Sequence, residues 1–129
     1  MTIQPEIFEK VQATLMEALG VDEDDVTEES TLIGDLGAES IDFLDIVFRL
    51  EKEFDLKVER GELFPEDILS NTSSYVENNM VNEAGLAALR ERLPFVDLTA
   101  FEKNPVVQEF PSRLTVADMC RFIQSKLAK

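Results

Sequence analysis

Residues 40–54 read SIDFLDIVFRLEKEF, and their spacing decides the fold. At about 100° per residue, Phe43, Ile46, Val47, Leu50 and Phe54 fall within one broad arc, as in a helix that buries one face. That arc is the predicted core face. Ile41, Leu44 and Phe48, spaced i, i+3, i+7, form a second stripe on roughly the opposite side, bordered by Asp45 and Lys52. A surface helix does not need this second stripe in order to fold. Apolar anchors rimmed by acids suit a groove on a basic partner. The competing reading is that residues 65–113 pack over the stripe.

Working outward, Pro5, the apolar positions Ile7, Phe8, Val11, Leu15, Ala18 and Leu19, and then Gly20 describe an amphipathic helix with a start and a stop. Residues 20–39 form a long acidic loop punctuated by Gly34 and Gly37, with Leu32 and Leu36 as its anchors. Asp55–Val58 alternates briefly and is expected to be a short extended connection. Further on, Asn82 is a candidate cap for a helix bearing Leu86, Leu89 and Leu93 and stopped by Pro94, and Asp97 for a short helix ending before Asn104 and Pro105. Ser70–Ser74 reads as a loop. Thr115 with Asp118 opens a last helix that carries Val116, Met119, Cys120, Ile123 and Leu127. No repeat or sustained strand pattern is visible, so the expected fold class is all-α.

Composition excludes much chemistry. The 129 residues contain no His, no Trp and a single cysteine, Cys120. That removes hydrolase triads, histidine acid/base chemistry, ordinary zinc sites and internal disulfides, and no catalytic residue and no metal ligand is assigned. The net charge is −15, with 12 basic residues against 27 acidic ones, which argues against nucleic acid and against anionic membranes. Residues 1–70 carry 20 acids and 5 bases, whereas residues 71–129 carry 7 of each. Between Val11 and Phe48 stand 11 acids and no base, so something basic is the natural partner. Pro5, Glu6, Glu9 and Lys10 break up any apolar run near the start. The expected location is the cytoplasm, where Cys120 is a small core residue, and the expected state is a monomer without membrane insertion.

Ser40 stands just after the Gly37 turn, at the first residue of the helical pattern. There backbone N–H groups lack partners, and the helix dipole would favour an attached phosphate. Ser40 could equally be a plain N-cap, although the residue three positions later is Phe43 and not Glu or Gln.

The run Asp35-Leu36-Gly37-Ala38-Glu39-Ser40-Ile41-Asp42 resembles the phosphopantetheine-attachment signature of acyl carrier proteins, DLGADSLD. The LGV at Leu19–Val21, VTEESTL at Val26–Leu32 and LEKEFDLKV at Leu50–Val58 are similar to its flanks, and LTVADMCRFI at Leu114–Ile123 to the start of the family's last helix. The resemblance covers residues 5–64 closely and 113–127 more loosely. It implies a bundle of three to four helices with 4′-phosphopantetheine, taken from coenzyme A, on Ser40 by a phosphopantetheinyl transferase. Acyl groups then ride as thioesters to loading, synthase or acyltransferase enzymes that dock through basic patches. Partner-facing positions would be Asp35, Glu39, Ile41, Asp42, Leu44, Asp45 and Phe48, and an acyl pocket would be lined by Leu32, Phe43, Ile46, Val47 and Leu50. Glu39, Ile41 and Lys52 depart from the usual Asp, Leu and acid.

Carriers of this kind are shorter, and the surplus falls at about residues 65–112. One acyl-carrier domain with a helical insertion before its last helix is therefore expected, the insertion enlarging the core or covering the cavity beside Phe43, Val47 and Leu50. Other readings fare worse. Counted from Asp22 as an EF-hand, the sixth position is Thr27 and the twelfth Ile33, where Gly and Glu are needed. Glu39 and Asp42 as a hydrolytic pair lack any sign of a pocket. An acidic interaction adaptor, never modified on Ser40, is the remaining alternative.

Overall fold

The structure is a computed structural model that describes residues 3–58 and 65–128. Residues 59–64, the end of the closely resembling stretch, lie outside the described residues. The chain divides into two compact units, Met1–Val58 with Leu114–Lys129, and Glu59–Arg113. As expected, the described residues are mostly helical.

In the first unit, α1 spans Pro5–Leu19, with Pro at its start and Gly20 in the left-handed conformation at its end (φ 69°). The Gly20 N–H donates to the Met16 carbonyl at 2.9 Å, closing the last turn. Ile7, Val11 and Leu15 are buried. Helix α1 packs on α2 (Ser40–Phe54) and on the last helix of the chain. The loop between α1 and α2 contains one 3₁₀ turn, Glu23–Asp25, and sends Val26, Leu32, Leu36 and Ala38 into the core. It is also tied to the chain's final segment. Leu32 N–H donates to the Leu114 carbonyl, Val116 N–H to Ser30 and Ala117 N–H to Glu28, at 2.9–3.1 Å. Asp55–Val58 turns where an extended link was expected. Asp55 adopts φ 50°, Leu56 N–H returns to the Glu51 carbonyl, and Val58 N–H donates to the Glu51 carboxylate. The helix thus caps its own end with the residues expected to leave it.

Among the described residues of the second unit, the first element is the single-turn helix α3, Glu66–Leu69. The Ser70–Ser74 segment is a turn in which Asn71 Oδ1 accepts from the N–H groups of Ser73 and Ser74. A small antiparallel hairpin follows, β1 (Val76–Glu77) with β2 (Met80–Val81), which the sequence pattern did not show. Its two-residue turn, Asn78-Asn79, has positive φ at both positions. That turn matches strand twist, and asparagine tolerates it. Helix α4, Glu83–Arg92, is capped as expected, Asn82 Oδ1 accepting from Gly85 N–H at 2.8 Å. In α5, Thr99–Lys103, the Asp97 carboxylate accepts from Thr99 N–H although Leu98 holds the cap position. Leu89, Leu93, Phe101 and Phe110 are buried, the two rings edge to face at 5.3 Å. An exposed ion pair joins α3 to α4, where Arg92 grips both Asp67 oxygens at 2.9–3.0 Å. That hydrogen-bonded guanidinium holds the Asp67 carboxyl below its ordinary range.

The chain closes with α6, Val116–Leu127, where Thr115 Oγ1 accepts from Asp118 N–H and Asp118 Oδ2 accepts from Thr115 N–H. That reciprocal pair is the predicted capping box.

Gly85 is fixed by contact. A Cβ there would approach the Tyr75 carbonyl oxygen to 2.6 Å and strike the Val81 side chain. Alanine gains about 1 kcal/mol of helix propensity over glycine, but relieving a clash with backbone costs about 1–3 kcal/mol. Gly85→Ala should therefore weaken the second unit, read as faster amide exchange along α4 and a lower urea midpoint.

Candidate functional site

The approach to α2 is built from the motif itself. Asp35 Oδ2 accepts from Thr31 N–H at 2.8 Å, while Asp35 N–H donates to Thr31 Oγ1 at 3.0 Å. Leu36, Gly37 and Ala38 N–H groups then bond back to the carbonyls of Thr31, Ile33 and Leu32. Gly37 has φ 73°, a conformation that strains any L side chain, and open space lies where its Cβ would be. Asp35, an expected partner contact, thus also locks the turn before the helix.

Glu39, not Ser40, occupies the cap position, with extended backbone. Its N–H donates to Asp42 Oδ2 at 2.8 Å. Ser40 is the first residue of α2, at the end where N–H groups lack intrahelical partners and the dipole is positive. A serine needed only as a cap would stand one residue earlier. The neighbours Glu39 and Ile41 are exposed.

The two stripes of α2 are both present. Leu32, Phe43, Ile46 and Leu50 are buried, and Val47 is half-buried. Ile41, Leu44 and Phe48 keep 72%, 77% and 55% of their surface exposed. Three large apolar residues on one helical line are thus left in contact with water.

Charge on this face is less uniform than composition suggests. Arg49 Nε donates to both oxygens of Asp45 at 3.0–3.1 Å, and its Nη1 reaches Glu17 of α1 at 3.5 Å. Lys52 Nζ lies 4.4 Å from the centroid of the Phe48 ring, a cation–π contact. Sequence reasoning missed both. Their signal was the i, i+4 spacing of Asp45 with Arg49 and of Phe48 with Lys52.

Cys120 is buried in α6, and burial, with Glu28 adding and Arg121 opposing, pushes its thiol up to about 12. Among the described residues, no group of acids and cysteine could hold a metal ion, and no helix is long and apolar enough to cross a membrane.

The sequence pattern of the family described as "Phosphopantetheine attachment site" matches residues 9–74. This chain therefore belongs to the phosphopantetheine-bearing acyl carrier protein family, whose prosthetic group is covalently attached 4′-phosphopantetheine. Among curated proteins, the acyl carrier protein of Thermotoga maritima is 44% identical over 80 residues, spanning 62% of this chain and 99% of that one.

The two stripes should separate cleanly under mutation. Leu44→Ser on the exposed line should change stability by no more than about 0.5 kcal/mol. Ile46→Ala on the buried line should cost about 2–5 kcal/mol. Urea melts of both variants check this, and equal losses would contradict the two-faced helix.

Proposed function

We propose that this protein carries acyl groups as thioesters on a phosphopantetheine arm attached to Ser40 and presents them to separate enzymes of fatty-acid, polyketide or specialised lipid synthesis. The observation that carries the reading is the position of Ser40, first in α2, between exposed neighbours, in a stretch that the family pattern matches. When attached, the group supplies a long flexible arm ending in a thiol that activates an acyl carbon as a thioester.

The chain's own residues provide the rest. The Asp35–Thr31 turn and Glu39 cap hold position 40 at the mouth of the helix. The acids around it steer a basic transferase and basic acyl-loading, synthase or acyltransferase enzymes toward the site, and that attraction falls with salt. Ile41, Leu44 and Phe48 offer a small apolar contact, enough for a specific complex that still lets go quickly. Leu32, Phe43, Ile46, Val47 and Leu50 are the side chains among which a short acyl chain would shelter. The chemistry belongs to the partners, so the carrier itself is not an enzyme. We read residues at about 65–112 as an insertion in this single carrier domain that suits it to one acyl group or one dedicated enzyme. We place the protein in the cytoplasm, where its one buried free thiol is compatible with a reducing compartment.

Cys120 makes the test quantitative. Its burial and raised pKa should keep it silent to a maleimide at pH 7–8 in the folded protein. Before modification, native protein should label on no thiol. After incubation with coenzyme A and a phosphopantetheinyl transferase it should gain one phosphopantetheinyl mass and label once, and after denaturation twice. Ser40→Ala should gain no mass. Equal mass gain by Ser40→Ala, or none by the wild type, would favour an unmodified adaptor.

A further inference from the structure

The last turns of α2 carry Glu51, whose carboxylate accepts from Val58 N–H, with the exposed Glu53 and Asp55, and Lys52 is the cation set among them on the apolar stripe itself. Around the first two turns of α2 the charged residues are Glu39, Asp42 and Asp45, with no base among them. At the third turn Arg49 is already spent on Asp45 and Glu17, so it cancels acidity and offers little of its own. Lys52 is different. It is exposed, falls on the same helical line as Ile41 and Phe48, and holds its ammonium over the exposed Phe48 ring.

A cation so placed becomes part of the apolar contact. Any surface that covers Phe48 must also meet Lys52 at close range, where solvent screening is weakest. A surface that is cationic along the whole stripe would gain at the Ser40 end and lose at the Phe48 end. A surface with a carboxylate opposite the last turns would gain at both. Like charges brought together at an interface discriminate at least as strongly as favourable pairs do.

We propose that Lys52, stacked on Phe48, is a specificity-determining residue of this face. It selects partners that are cationic opposite the first turn of α2 and anionic opposite its last turns, and turns away uniformly basic ones. The inference rests on reading the stripe as the carrier's docking face, but it does not require that Ser40 be modified.

Two synthetic amphipathic helical peptides with an identical leucine face test it on the full chain. One carries arginines along its whole flank, and the other carries arginines at one end and glutamates at the other. Binding is followed by backbone amide shifts along α2. At low salt the mixed-charge peptide should bind the wild type about threefold to fivefold more tightly, the size expected of one exposed ion pair exchanged for a repulsion. Lys52→Glu should reverse that preference, Lys52→Gln should abolish it, and 0.5 M salt should shrink it in every case. An unchanged preference in Lys52→Glu would overturn the proposal, as would binding of either peptide away from α2 or no binding by both. Failure of Ser40 to accept phosphopantetheine, in contrast, would count only against the carrier function.

Discussion

The first unit depends on a short seam of backbone hydrogen bonds between residues 28–32 and 114–117. Thr31 and Thr115 pair across it as an isolated antiparallel bridge. On one side the seam fixes the loop whose Leu32 and Leu36 plug the core and whose Thr31–Gly37 turn leads into Ser40. On the other it sets the start of α6, where the Thr115–Asp118 box satisfies the first N–H groups. The turn before Ser40 and a core helix are thus held by the same few bonds. Because these groups sit beside buried Ser30, Leu32, Leu114 and Val116, leaving them unpaired would carry a full desolvation cost.

On that frame, α2 serves two opposed demands. Its inward arc buries Phe43, Ile46 and Leu50, whereas its outward line leaves Ile41, Leu44 and Phe48 to water. The exposed line is costly in isolation and useful only when another surface covers it. In the docking proposed above, charge would decide which surface, the acids near Ser40 acting at long range and Lys52 on Phe48 only at contact.

Much of this was legible in the sequence because local chemistry and tertiary packing agree. Pro5 and Gly20 bracket α1, the two stripes mark α2, and Asn82 and Thr115 cap the helices they precede. The DLGAES run marked the turn into α2, and Gly37 shows why, since its positive φ is a local requirement. Legibility failed where structure is shorter than the periodicity that reveals it. Strands of two residues cannot alternate visibly, so the Val76–Val81 hairpin rests on Asn78-Asn79, whose paired positive φ was the available clue. Helix α3 is a single turn, below the length at which a face repeats. Asp35 and Asp45, expected to face a partner, also bond within the chain to Thr31 and Arg49. Residue type alone does not distinguish a free carboxylate from an engaged one.

The seam also bears on the order in which the chain can assemble. Its two halves lie on either side of the 55 residues Glu59–Arg113, so a ribosome finishing α2 has made only one of them. Until residues 114–117 emerge, the loop before Ser40 lacks its partner and α1 and α2 lack α6. Closing a flexible loop of that length costs roughly 3–4 kcal/mol beyond the constant term. The seam can therefore close only once residues 114–117 have been made, and the loop before Ser40 gains its last backbone partners at that point.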